Sequence, residues 1–236
     1  MRINKYLADC GLASRRKCEE LVVQGKIKVN GKLIKDLSTD IKSTDIVTYA
    51  GRTVRPVLNK VYYKLHKPKG YVTTSSDEKG RKTVLELMRS VKDRVYPVGR
   101  LDYDTEGVLI MTNDGDITNI LTHPKNSVKK TYIATVEGEV TNDEVKQISK
   151  GVNIGEYVTQ PCMVRVMEFK NNLTKVEVTI TEGKNHQVKK MFEAVGHTVA
   201  FLKRVSIGNI KLGGLARGEY KALTPKELAY LKSLQK

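Results

Sequence analysis

Tryptophan is absent from the 236 residues, and phenylalanine and cysteine occur three times each. Cys10, Cys18 and Cys162 are odd in number and form no Cys-x-x-Cys pair, which argues against a disulfide framework and a zinc ribbon. They read as small buried apolar side chains. No run of about 18 apolar residues occurs, and Met1-Arg2-Ile3-Asn4-Lys5 leads into no apolar secretory core, so neither membrane spanning nor export is indicated. The expected location is the cytoplasm, with no membrane partner. The four histidines, His66, His123, His186 and His197, are scattered without a His-x-x-x-His pair, and no metal site is expected. Acidic residues are scarce: 26 Asp+Glu against 42 Lys+Arg leave a formal net charge of +16. A partner rich in negative charge is the first implication. With 39% hydrophobic and 29% charged residues, the balance is that of a globular chain.

The pattern divides the chain near residue 59. Ile3, Leu7 and Cys10 share one helix face, Gly11 ends that helix, and Ser14 can cap a second whose core stripe is Cys18, Leu21 and Val22. Gly25 stops it. Lys26 to Val29 alternates basic and apolar residues into Asn30-Gly31, a hairpin-turn dipeptide, and Lys32 to Lys35 returns. Residues 50–56 have linker composition. The expectation is a small helical and hairpin domain over 1–59, followed by a larger domain over 60–236.

In the second part, short β-rich runs (61–65, 108–112, 132–136, 164–168, 176–180 and 199–202) mix with a few short helices, and no regular βαβ alternation appears. Thr141 with Glu144 is a capping box closed by Gly151, and Thr224-Pro225 with Glu227 opens a C-terminal helix. Val188, Met191, Phe192 and Val195 fall on one helix face, with Asn185 as its cap and Gly196 as its end. The fold class expected is α+β with a mainly antiparallel mixed sheet.

Positive charge is concentrated in two places. Residues 184–221 hold Lys184, Lys189, Lys190, Lys203, Arg204, Lys211, Arg217 and Lys221 against Glu193 and Glu219. Near a helix start, where free N–H groups also attract phosphate, this favours anion binding over a merely solvated face. Arg2, Lys5, Arg15, Arg16, Lys17, Lys26, Lys28 and Lys32 form the second concentration, read as another nucleic-acid contact. Between them, Asp102, Asp104 and Glu106 stand just ahead of an apolar strand, where loops commonly carry chemistry. By spacing alone, Asp102-x-Asp104 could be a divalent-metal pair, and Asn113-Asp114-Gly115 is more simply a turn.

Gly99-Arg100-Leu101-Asp102, followed by Thr105, Gly107 and Thr112 to Gly115, resembles the signature of the RsuA-type ribosomal RNA pseudouridine synthases. Lys64 to Tyr71 resembles that family's strand and turn before the active site, Lys130-Thr131-Tyr132 the run that places its tyrosine, and Glu182 to Phe192 its C-terminal motif. Ser14-Arg15-Arg16 and Val29-Asn30-Gly31 resemble an S4-type RNA-binding domain. The match runs through nearly the whole chain in the expected order.

The resemblance implies isomerisation of uridine to pseudouridine with no cofactor. It makes Asp102 the catalytic carboxylate, Tyr132 the residue that stacks on the flipped uracil, and Lys189 the basic neighbour of Asp102, with Lys184 as its rival. Arg100 is the residue that takes up the space left by the extruded base. Arg2, Lys5, Arg15, Arg16, Lys17, Lys184, Lys190 and Arg204 are the expected RNA contacts. The implied partner of a monomeric enzyme is a single-stranded or stem-loop region of ribosomal RNA, free or in a pre-ribosomal particle. Similarity over 95–115 and at Ser14 to Lys17 favours large-subunit over small-subunit RNA. A non-enzymatic RNA-binding or ribosome-associated protein is the alternative, and a metal-dependent nuclease using Asp102 and Asp104 is a third reading.

Overall fold

The computed structural model describes residues 1–235, which divide into two compact units: 1–61 with 113–115, and 62–112 with 116 onward. In the first unit, α1 (Ile3–Asp9) and α2 (Arg15–Val23) precede β1 (Ile27–Val29), β2 (Lys32–Ile34), β3 (Val47–Tyr49) and β4 (Arg52–Thr53). Ser14 caps α2 by accepting from the Lys17 N–H, which satisfies one of the helix's orphan donors. Asn30 and Gly31, both at positive φ, make the β1–β2 turn. The strands pair antiparallel in the order β2-β1-β3-β4. Ile3, Leu7, Cys18, Leu21, Val22, Ile27, Ile41 and Val47 form the core. Asn113 joins this unit through its side chain, which accepts from Val61 N–H and donates to the Asn59 carbonyl, both at 2.9 Å.

The second unit is built on a nine-stranded sheet. Its strands are β5 (Tyr62–Lys67), β6 (Tyr96–Val98), β7 (Glu106–Thr112), β8 (Lys130–Glu137), β9 (Met163–Lys170), β10 (Leu173–Ile180), β11 (Val199–Ile207), β12 (Ile210–Lys211) and β13 (Tyr220–Ala222). The order is β13-β5-β7-β11-β8-β10-β9, with β6 on β7 and β12 on β11. All pairs are antiparallel except β7 with β11. Helices α3 (Gly115–Thr122), α4 (Asn142–Lys150), α5 (Gln187–Glu193) and α6 (Pro225–Ser233) flank the sheet. Thr141 and Thr224 close reciprocal capping boxes with Glu144 and Glu227.

Strand β7 is buried along its whole length, as a central strand covered on both faces must be. Its Val108 and Ile110 pack with Ile117 and Leu121 of α3, Ile207, Leu223 and Leu231 of α6 in one core. Gly107 is fixed by the parallel pairing. It adopts φ +124°, and a Cβ there would lie 2.1 Å from the Arg204 carbonyl oxygen.

Three local expectations change. Asn113-Asp114-Gly115 is a strand-to-helix junction and not a hairpin turn, since α3 begins at Gly115. The residue before α5 is His186, at φ +52° and without a side-chain capping bond, and not Asn185; the helix ends at Glu193, before Val195. Of the cysteines only Cys18 is buried, Cys10 and Cys162 being partly exposed. Among the described residues, no helix is long and apolar enough to cross a membrane.

Candidate active site

The loop from Gly99 to Thr105 enters β7 with its main chain held from below. Lys67, fully buried at the end of β5, donates through Nζ to the carbonyl oxygens of Asp102 at 2.8 Å, Thr105 at 2.9 Å and Pro68 at 3.1 Å. Burial pushes its pKa down to about 8 against the pull of Asp102, Asp104 and Glu106. Thr73 Oγ1 donates to the Leu101 carbonyl at 2.7 Å and accepts from Leu101 N–H, and Gly70 N–H donates to the Tyr103 carbonyl. The backbone is thus fixed, while the Asp102 side chain keeps 30% of its surface exposed.

Asp102 lines a cavity of about 310 Å³ together with Arg100, Lys130, Tyr132, Lys184, His186 and Arg204. Alternation along β8 and β11 delivers Lys130, Tyr132 and Arg204 to one sheet face. Tyr132 is 8% exposed, and its Oη accepts from Arg204 Nη1 at 3.5 Å. Arg204 also donates through Nε to the Val108 carbonyl at 2.9 Å and through Nη1 to the Arg100 carbonyl at 3.5 Å. Its Nη2 is buried and has no protein partner. Burial and the charge of Arg204 lower the pKa of Lys130, whose Nζ donates to the Val128 carbonyl at 3.1 Å.

Helix α5 and the residue before it bring Lys189 and His186 to Asp102. Lys189 Nζ lies 3.8 Å from Asp102 Oδ2 and donates at 2.6 Å to Asp104 Oδ1; His186 Nε2 lies 3.6 Å from Asp102 Oδ1. At Asp104, burial raises the carboxyl pKa, but the hydrogen bond and charge of Lys189 outweigh it and hold the group below the usual carboxylate range. An ammonium between Asp102 and Asp104 stands where a metal pair would need its ion. Among the described residues, no group of three or more His, Cys, Asp or Glu is arranged to hold a metal. The turn into α5 is pinned by Gln187, which donates to Glu182 at 2.5 Å and accepts from Lys184 N–H at 3.1 Å.

The other expected site residues occupy several settings. Arg100 is exposed at the cavity rim. Lys184 also reaches the rim but sets its Nζ 5.6 Å from the Tyr157 ring and has no ion pair with Asp102. Lys190 pairs with Glu156 at 2.6 Å. Arg204 is 3% exposed, so it is part of the cavity wall and not of the outer basic surface. Glu106 is turned away, paired with Arg217 at 3.1 Å and buried. In the first unit, Arg15, Arg16 and Lys17 are exposed in the first turn of α2, with Lys17 paired to Glu20; Lys5 is paired to Asp9, and Arg2 is bonded to the Ser38 carbonyl. Sequence reasoning passed over Lys67, Lys130 and His186. Each lies inside a run quoted for the family resemblance, but only the fold shows which of them is buried or faces the carboxylate.

Comparison with known proteins follows the same division. A family model described as RNA pseudouridylate synthase matches residues 61–194, and an S4 domain model matches residues 1–47. Over 235 residues the chain is 40% identical to ribosomal large subunit pseudouridine synthase B of Bacillus subtilis, covering 99% of this chain and 96% of that protein. Over 233 residues it is 42% identical to an uncharacterized RNA pseudouridine synthase of Aquifex aeolicus, covering 98% and 93%. A crystal structure of a pseudouridylate synthase superposes with a TM-score of 0.71 at 30% identity, covering 98% of this chain and 99% of that one.

Proposed function

The chain belongs to the RNA pseudouridylate synthase family and carries an N-terminal S4 domain, and from that premise we propose that it isomerises a specific uridine in large-subunit ribosomal RNA with Asp102 as the catalytic carboxylate. The observation that carries this reading is the Asp102 side chain itself, open to a cavity whose walls are Tyr132, Lys130 and Arg204 while its own main chain is clamped by Lys67. The preference for the large subunit rests on the likeness to the Bacillus subtilis protein.

In the reaction, the N1–C1′ bond breaks, the uracil turns, C5 bonds to C1′, and the proton lost from C5 is balanced by one gained at N1. Nothing is oxidised or reduced. The uridine must leave its stack to reach Asp102, at a cost of a few kcal/mol, about what stacking on an aromatic wall can return. A cavity of about 310 Å³ falls at the lower end of the range of roughly 300–1,000 Å³ typical of small-ligand sites. Tyr132 offers its ring to the base, and Arg204 places its positive charge in the wall beside it. Arg100, exposed at the rim, is placed to occupy the gap in the RNA stack. Lys189 sets a positive charge beside Asp102 and Asp104.

Residues 1–59 supply the RNA-binding module, and 60–236 the catalytic domain. Arg15, Arg16 and Lys17 contact RNA phosphates in this scheme, with Arg2, Lys5, Lys184 and Lys190 contributing further charge. The scheme has the protein acting as a monomer.

Mapping pseudouridines across ribosomal RNA from cells lacking the protein tests the assignment. One site in large-subunit RNA is expected to revert to uridine, to be restored by the wild-type chain and not by Asp102→Asn. Restoration by Asp102→Asn would remove Asp102 from the chemistry, and an unchanged map would remove the substrate assignment.

A further inference from the structure

The two faces of the nine-stranded sheet differ where β11, β8 and β10 run side by side. One face carries Leu202, Arg204 and Tyr132 toward the cavity. The other is open: Phe201, Lys203, Thr131, Ile133 and Thr179 are only partly buried, and Lys175 is exposed. Cross-strand register aligns Phe201 with Thr135 and Lys175, and Lys203 with Ile133 and Glu177. Lys211 and the residues after it raise one side, leaving a shallow depression of about 660 Å³.

Charge on this face is unbalanced. Opposite charges on an ordinary solvated sheet tend to sit across from one another; Arg165 does neutralise Glu177 at 3.1 Å, and Glu168 stands across from Lys175 without forming an ion pair with it. Lys175, Lys203 and Lys211 have no carboxylate within ion-pair distance among the described residues. An aromatic platform lies beside them, since Lys69 Nζ stands 4.8 Å from the Phe201 ring centre. A base-sized ring flanked by cations is what single-stranded nucleic acid uses for sequence-tolerant stacking.

The platform is tied to the Asp102 loop by way of Lys69. Lys69 is followed by Gly70, whose N–H donates at 2.8 Å to the carbonyl of Tyr103, the residue after Asp102. Tyr103 is 54% exposed. Tyr103 and Lys69 thus mark the route around the sheet that an RNA strand with one uridine at Asp102 would follow to Phe201. We propose that this open sheet face is a second RNA-binding surface, which takes single-stranded nucleotides flanking the target uridine through phosphate contacts from Lys175, Lys203 and Lys211 and base stacking on Phe201. The proposal rests on the RNA-modifying reading given above.

The test is fluorescence anisotropy with the full chain and labelled oligouridylates, one of about 20 nucleotides and one of about 5. Lys175→Ala with Lys203→Ala is expected to weaken binding of the long oligomer about tenfold and to reduce the slope of log K against log salt by about 1.4, at about 0.7 for each single-strand phosphate contact. Binding of the short oligomer should change little, and Lys175→Arg with Lys203→Arg should keep both affinity and slope. Ultraviolet crosslinking of a 4-thiouridine oligomer should map to Phe201 in the wild type. Unchanged affinity and slope for the long oligomer, in a double variant that melts like the wild type, would overturn the proposal, whether the face is then merely solvated or covered by a protein. Pseudouridine formation in ribosomal RNA is scored separately. Loss of long-oligomer binding without any pseudouridine activity would leave the surface and remove the enzymatic reading; activity without that loss would do the reverse.

Discussion

Lys67 Nζ donates to the main-chain oxygen of Asp102 at 2.8 Å, so a buried cation fixes the backbone of the residue whose carboxylate faces the cavity. Lys67→Met keeps the length and removes both the charge and its three hydrogen bonds. Relief of the buried charge and loss of those bonds oppose each other, so stability near neutral pH should change by no more than about 2 kcal/mol. The loop is then free to shift, and kcat should fall by roughly 10- to 100-fold. Single-turnover rates beside urea unfolding of the same preparations check both halves.

The same lysine gives a pH signature. Its folded pKa is about 8 against 10.5 for the free side chain. Between those values the unfolded chain holds a proton that the folded chain has released, so the contribution to stability rises with pH across that window. The wild type should therefore gain up to about 3 kcal/mol relative to Lys67→Met from pH about 8 to about 10.5. Urea midpoints of the two proteins at both ends of the window give the difference, and parallel pH profiles would refute a depressed Lys67.

Gly107 brings β7 close against β11. With φ at +124° and the Arg204 carbonyl 2.1 Å from where a Cβ would stand, Gly107→Ala must push two buried strands apart. A loss above about 3 kcal/mol is expected, with most of the chain insoluble or unfolded at the growth temperature. Thermal unfolding beside Gly51→Ala, where nothing lies within 4 Å of the added carbon, separates the clash from the cost of positive φ alone.

Features carried by local chemistry were legible in the sequence. Ser14, Thr141 and Thr224 cap their helices, Asn30-Gly31 turns its hairpin, and the apolar runs became strands, because each depends on neighbours a few residues away. Pairing of Lys203 and Arg204 with Glu106 and Gly107 depends on residues about a hundred positions apart, and no periodicity announces it. Arg204 is expected among the RNA contacts and Lys67 is passed over, because lysine and arginine seldom lie buried without partners; here main-chain carbonyl oxygens supply those partners. Motif order pointed to Asp102, Tyr132 and Lys189, but the division of Lys189 between two carboxylates is a matter of tertiary geometry.

That division separates two substitutions. Lys189 donates to Asp104 at 2.6 Å and lies 3.8 Å from Asp102. If its charge serves Asp102 during the reaction, Lys189→Ala should lower kcat about 100-fold with KM little changed, since the interaction is made at the reacting centre. Asp104→Asn leaves the ammonium in place and should cost less than about fivefold. Saturating single-turnover assays rank the two, and an Asp104→Asn defect equal to that of Lys189→Ala would mean that Asp104 holds the lysine in position.

Arg15 and Arg16 stand exposed in the first turn of α2, neither with a carboxylate partner among the described residues, whereas neighbouring Lys17 is paired to Glu20 at 2.6 Å. Unpaired arginines are the ones able to exchange counterions for phosphate. Arg15→Ala with Arg16→Ala should weaken RNA binding and reduce the salt slope by about 0.7 for each single-strand phosphate no longer neutralised, or about 0.9 where the RNA is duplex-like. Such interactions are equal in the ground and transition states, so KM should rise while kcat at saturating RNA stays within about twofold. Lys189→Ala should show the opposite split. Anisotropy titrations over a range of salt, paired with single-turnover rates, read both quantities. A large fall in kcat for the arginine double variant, with Lys189→Ala near normal, would show that the module takes part in positioning the uridine and that Lys189 serves only to bind RNA.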